Sequence, residues 1–184
     1  VEQARRLLKG ARKTNKQEWK VFLESVLLEL RSQSIDRALR EARKALDVHR
    51  GTGRLWAVLI QLEHGHGVER QLAVFQQALL EVPKSGEVWC EGARICLNPY
   101  SSCFNLEAAR NFLDFAIEFT PQYGDSFIEY LRLQMLVHAP EARTPPPTQA
   151  RTATTRSKHL SILPCYAARL RSSRRSTGLS PTLT

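Results

Sequence analysis

Apolar residues recur along this chain at helical spacing, in short blocks punctuated by Gly, Pro, Ser and Asn. Each block has an apolar stripe at i, i+3, i+4 and i+7, the pattern of an amphipathic helix with one buried face. The pattern predicts helices over 2–12, 17–31, 34–48, 54–64, 68–82, 86–97, 105–119 and 125–137. Trp19, Phe22, Leu23, Val26, Leu27 and Leu30 form the stripe of the second helix. Ser34, Asn105 and Asp125 are the expected N-caps of three others, because their side chains can accept from first-turn amides. No stretch alternates with the period of a strand, so the chain is expected to be all-α.

The helices are not independent. Ala78 lies eleven residues before Trp89, and the same interval joins Ala11 to Phe22, Ala45 to Trp56 and Ala116 to Phe127. Pro83 and Pro121 each follow an alanine of this series by five residues. Three residues before each alanine stand Leu8, Ala42, Phe75 and Leu113. The alanines are spaced by 34, 33 and 38 residues, the last interval lengthened by the loop 98–104. A fixed period of this size marks stacked supersecondary units. We therefore expect an α-solenoid of antiparallel helix pairs, about three to four repeats over residues 1–137. Its repeat-defining core is Phe22, Ala45, Trp56, Phe75, Ala78, Trp89, Leu113, Ala116 and Phe127. Truncating Trp56 or Trp89 to alanine is expected to cost about 3–5 kcal/mol if the ring is buried. The first helix lacks a preceding mate and the last a following one, so the chain is expected to be a piece of a longer array. Phe127, Ile128, Tyr130, Leu131, Met135 and Leu136 are then left as an exposed apolar face. Self-association through this last helix is the expected consequence.

Composition changes at residue 138. The net charge of +9 is uneven: residues 1–138 hold 19 Lys+Arg against 17 Asp+Glu, whereas residues 139–184 hold 8 against 1. That segment carries six prolines, eight threonines and six serines, and its apolar residues cluster only over 159–166. Such a composition buries too little apolar area to offset ordering entropy, so 138–184 is expected to be a disordered basic tail. It is either a phosphorylatable arm for RNA or an acidic partner, or a passive or non-native replacement for a repeat. No apolar run approaches the length of a membrane span. Four cysteines at irregular spacing point to free thiols in a reducing compartment.

Candidate chemistry is sparse. Cys90, Cys96 and Cys103, with His64 and His66, lack zinc-ligand spacing, and Gly65-His66-Gly67 is too short to cradle a phosphate. No nucleophile motif is present. We expect no metal, no cofactor and no catalytic residue. The basic residues Arg5, Arg6, Lys9, Arg12, Lys13, Lys16 and Lys20 read as a solvated helix face, with contact to RNA phosphates as the alternative. Stacked helix pairs leave a surface lined by the first helix of each pair, suited to an extended or helical partner segment. Its candidate partner-binding residues are Gln61, Glu91, Arg94, Glu129 and Arg132.

These positions resemble the tetratricopeptide superfamily. The aromatics Phe22, Trp56, Trp89 and Phe127 match its first-helix aromatic. Ala38-Ala42-Ala45, Gln71-Phe75-Ala78 and Ala109-Leu113-Ala116 match its second-helix triplet. The expected first-helix tyrosine is replaced by Glu63 and Cys96. That departure, with Leu55-Trp56 to Leu62-Glu63 and Ala4-Arg5, resembles the HAT (half-a-tetratricopeptide) variant. The resemblance implies a non-enzymatic protein-binding scaffold in an RNA-processing assembly, located inside the cell and in the nucleus rather than the cytoplasm. The alternatives are a general tetratricopeptide adaptor outside RNA metabolism, or RNA binding through the basic first helix and tail. Ala57, Cys90, Gln61 and Arg94 stand where a chaperone-tail clamp would need Lys and Asn.

Overall fold

The computed structural model describes residues 1–138, and every regular element among them is helical. In chain order these are α1 (Glu2–Thr14), α2 (Trp19–Arg31), α3 (Ile35–Val48), α4 (Gly53–Leu62), α5 (Val68–Glu81), α6 (Gly86–Cys96), α7 (Leu106–Phe119) and α8 (Gly124–His138). A 3-10 turn over Glu63–His66 joins α4 to α5, closed by Gly67 at φ 99°, a left-handed value that glycine tolerates without strain. The expected tail, 138–184, lies outside the described residues apart from His138, the last residue of α8.

Three antiparallel pairs, α2–α3, α4–α5 and α6–α7, stack in sequence, with α1 packed on α2 and α8 packed on both α6 and α7. The first helices of successive pairs also touch directly, α4 on α6 and α6 on α8. This is a helical-repeat solenoid.

The recurring alanines explain the stacking. Ala45, Ala78 and Ala116 are fully buried, as are Ala38, Ala42, Ala93 and Ala109. A methyl at these positions lets helix backbones approach where a longer side chain would hold them apart. Large rings fill the space the small residues leave. Trp89 is fully buried, with Phe115 at 5.0 Å, Phe112 at 5.4 Å and Phe75 at 6.0 Å between ring centroids. Gly92 makes room for this cluster: a Cβ there would stand 2.4 Å from Cζ of Phe75.

The tryptophans also fix the joints between pairs. The Trp56 indole donates to the Arg50 carbonyl at 2.7 Å, and the Trp89 indole to the Pro83 carbonyl at 2.8 Å. Each acceptor lies six residues upstream, in the turn that enters the helix. A phenyl ring cannot make this bond, which distinguishes Trp56 and Trp89 from Phe22 and Phe127 at the same register.

Phe127 departs from the core role expected of it. It is 51% exposed, while Phe22, Trp56, Phe75, Trp89 and Leu113 are buried. Trp89 is covered by α7, the second helix of its own pair, and no described helix stands in that place beside α8. Ile128, Leu131 and Met135 are exposed with Phe127, whereas Leu136 is buried.

The caps are mixed. Asn105 Oδ1 accepts from the Ala108 amide at 2.9 Å, and Ser85 Oγ from the Val88 amide at 3.4 Å. Ser34 occupies the N-cap position, but its side chain caps nothing and its hydroxyl is turned toward the Ser32 carbonyl. Asp125 is not a cap: α8 starts one residue earlier, and the carboxylate is drawn instead to Arg94 and the Tyr123 hydroxyl. The turn after α2 closes with Ser34 N–H on the Glu29 carbonyl and Gln33 N–H on the Leu30 carbonyl. This double closure places Gln33 at φ 56°, the left-handed position where such turns favour glycine.

Candidate interaction groove

Trp56, Trp89 and Phe127 mark equivalent points on α4, α6 and α8, so positions counted from them are stacked. Five residues on stand Gln61, Arg94 and Arg132; two residues on stand Val58, Glu91 and Glu129. Touching neighbours at this spacing can form a ladder of polar contacts from one repeat to the next. Gln61 Nε2 donates to Glu91 Oε1 at 2.7 Å, and Arg94 Nε donates to Glu129 Oε1 at 2.8 Å. Both bonds run from the fifth position of one repeat to the second position of the next. Within each helix Arg94 also donates to Glu91, and Arg132 to Glu129 at 3.5 Å. Arg94 Nη2 reaches Asp125 Oδ2 at 3.1 Å, so one guanidinium serves three carboxylates.

The five residues expected on this face are therefore one connected network. They are not simply solvated: Glu91 is 2% exposed and Glu129 is also buried. Gln61, Glu91, Arg94 and Arg132 line a groove of about 760 Å³, together with His64 and Tyr100. Glu129 lies outside this lining and accepts from both arginines. Val68, the buried Ile95 and the exposed Tyr100 add apolar surface to the lining.

The network has uneven electrostatics. Burial pushes the Glu91 carboxyl up to about 7, against the opposing pull of Arg94 and Gln61, and the charge of Glu129 adds to the rise. Burial also raises Asp125, but hydrogen bonds from Arg94 and Tyr123 outweigh it and leave this carboxyl below its ordinary value. Desolvation opposes the charge on Arg94, yet Glu91, Glu129 and Asp125 together hold it firmly protonated. Tyr123 is tied in from the other side, with the Arg54 guanidinium 4.9 Å from its ring centroid.

A second recurrent contact was readable only in part. Glu29 and Glu63 each lie seven residues after a first-helix aromatic, Phe22 and Trp56. Both are buried, and both take an arginine from the preceding helix: Arg5 at 2.7 Å and Arg43 at 2.6 Å. The following repeat carries Cys96 at that position and has no such pair.

The other candidates separate. Of the basic N-terminal residues, Arg5 is engaged by Glu29 and Glu2, and Arg12 by Glu41, leaving Arg6, Lys9, Lys13, Lys16 and Lys20 exposed. Cys90, Cys96 and Cys103 are buried free thiols. Burial pushes Cys90 and Cys96 up to about 12, so neither is a ready nucleophile. Among the described residues no group of three or more metal-ligating side chains occurs, and no helix is long and apolar enough to cross a membrane.

Stacked helix pairs with this register define a tetratricopeptide-like repeat protein of the HAT type. The family model described as "PRP6, TPR-like domain" matches residues 1–163, and the chain belongs to that family. A TPR-containing protein of Dictyostelium discoideum is 57% identical over 135 residues, covering 73% of this chain. The chain spans only about 10% of that relative's length. Protein-interaction repeats of this kind are generally scaffolds without enzymatic activity.

Proposed function

We propose that this chain is a non-enzymatic scaffold segment of an RNA-processing assembly, holding a partner protein along the groove built on α4, α6 and α8. The observation that carries this reading is the ladder Gln61–Glu91–Arg94–Glu129–Arg132, which keeps polar donors and acceptors at fixed places beside an open groove. A pre-formed groove spares a partner the cost of ordering the surface it meets. Tyr100 and the partly exposed Arg132 offer the aromatic and guanidinium contacts that anchor interfaces. Family membership favours RNA processing, since the family is that of a splicing factor, and with it the nucleus over the cytoplasm.

The test is affinity capture from nuclear extract after ribonuclease treatment, comparing the full chain with Tyr100→Ala and Arg132→Glu. Both positions are exposed enough for the variants to fold. The expected result is capture of RNA-processing proteins by the wild type and their loss with the variants. Capture that excludes such proteins, or that both variants leave unchanged, would overturn the reading.

A further inference from the structure

A separate, smaller groove shares no residue with the first. It lies where α1, α2 and α3 meet, encloses about 260 Å³, and is lined by five cations, Arg5, Lys9, Arg12, Arg37 and Arg40. Glu2 reaches Arg5 at 3.2 Å from outside the lining, and only two carboxylates line the groove itself, Glu29 and Glu41. Those two are already taken. Arg5 donates to both oxygens of Glu29 at 2.7 Å, and Arg12 and Lys44 donate to Glu41. The Arg5 hydrogen bonds hold the Glu29 carboxyl below its ordinary range despite burial, with a contribution from Arg37. Burial raises Glu41, but its hydrogen bonds from Arg12 and Lys44 prevail. Both acids are thus ionised and committed at neutral pH. Lys9, Arg37 and Arg40 are exposed and form no described ion pair. Asp36 stands beyond them, in the shallow depression that Arg37 and Arg40 also border.

The residual charge of the groove is therefore positive and held in place. Arg5 and Arg12 are fixed by their acids, and the three free cations come from two different helices. Leu8 and Leu28 supply apolar surface in the lining. We propose that this groove is a docking site for an acidic segment of a partner protein, in which carboxylates alternate with an apolar residue. The carboxylates meet Lys9, Arg37 and Arg40, and the apolar side chain rests on Leu8 and Leu28. A single-stranded nucleic acid fits less well. No aromatic side chain lines the groove to stack a base, and Glu29 and Glu41 would oppose a continuous phosphate backbone. The site is independent of the α4–α6–α8 groove and stands or falls separately from it.

Fluorescence anisotropy tests the proposal with the full chain and three labelled probes: a short Glu/Leu peptide, its Gln/Leu counterpart, and a short single-stranded RNA. The combined variant Lys9→Glu, Arg37→Glu, Arg40→Glu should weaken the Glu/Leu peptide by about tenfold or more, since three solvent-facing pairs become repulsive. A control that reverses Lys13, Lys16 and Lys20, outside the groove, should change it by less than about threefold. If circular dichroism shows that the triple reversal has unfolded the chain, the milder Arg37→Gln, Arg40→Gln pair replaces it, with about threefold weakening expected. The proposal is overturned if the Glu/Leu peptide does not bind. It is equally overturned if the Gln/Leu peptide binds as tightly, or if both sets of reversals act alike. Tighter binding of RNA, lost on reversing the groove, would assign the site to nucleic acid instead.

Discussion

Glu91→Gln is the substitution that most directly interrogates the ladder. The wild-type carboxyl is 2% exposed and titrates near 7 in place of its ordinary 4.5. Between those values the native chain holds a proton on Glu91 that the unfolded chain has released. Stability therefore falls as pH rises from about 4.5 to about 7, and levels off above. At about 1.4 kcal/mol per pH unit, the displacement from 4.5 to about 7 amounts to roughly 3 kcal/mol. Glutamine keeps the shape and an acceptor for Arg94 and Gln61, and carries no charge to desolvate. Arg94 retains Glu129 and Asp125 as counter-charges. The assay is urea unfolding of the full chain at intervals from about pH 5 to about pH 8, wild type beside variant. The variant should lack the descending limb seen in the wild type, and it should be the more stable protein at the alkaline end. The difference between the two curves isolates Glu91 from every other titrating group. Parallel curves, or a wild type whose stability climbs across this window, would refute the claim that burial outweighs Arg94 at this carboxylate.

Gly92→Ala sets two effects of opposite sign against each other. Helix propensity favours alanine by about 1 kcal/mol, but the new methyl would meet the buried Phe75 ring at 2.4 Å, and overpacking costs about 1–3 kcal/mol. The urea midpoint should fall, whereas Gly10→Ala, where nothing lies within 4 Å of the added carbon, should raise it. Arg43→Met leaves Glu63, 1% exposed, without its charged donor and should lower stability by about 2 kcal/mol. Adding Glu63→Leu should recover most of the loss, and chemical denaturation of the two variants checks both statements. Acid unfolding is governed by other groups: Glu29, Glu41 and Asp125 have lowered carboxyls, so their contribution disappears as pH falls below about 4, measurable by circular dichroism. Finally, the exposed Phe127, Ile128, Leu131 and Met135 should drive concentration-dependent association. Sedimentation velocity should show it in the wild type and not in Ile128→Glu, Leu131→Lys.

What could be read in the sequence was whatever repeats with a fixed period. Ala45, Ala78 and Ala116 recur because each sits at a close helix contact, and a spacing imposed by packing is visible without coordinates. The eight helices follow from it, with boundaries displaced by at most a few residues. Contacts that join one repeat to the next are harder to see, because their partners lie 30 to 35 residues apart. In the sequence Glu91 and Glu129 stand only as candidate partner-binding positions, and the contacts that bury them are not evident there. A signal was nonetheless present: Glu-x-x-Arg occurs at Glu91–Arg94 and again at Glu129–Arg132, in identical register to the aromatics. An acid and a base repeated at one register on touching helices can meet each other and the next repeat, and Arg94 does both, through Glu91 and Glu129.

Phe127 shows the opposite limit. Its register is right and its burial is not, because register is a property of one helix and burial belongs to the pair. The aromatic position is a socket that the second helix of the same repeat fills, as α7 fills it for Trp89. The same reasoning applies to Arg132. Gln61 and Arg94, its equivalents on α4 and α6, each donate forward to the next first helix, whereas Arg132 reaches back to Glu129 and is 48% exposed. Among the described residues, the polar ladder and the apolar stripe of α8 therefore end together, with Arg132 half-exposed and four large apolar side chains exposed on the same helix.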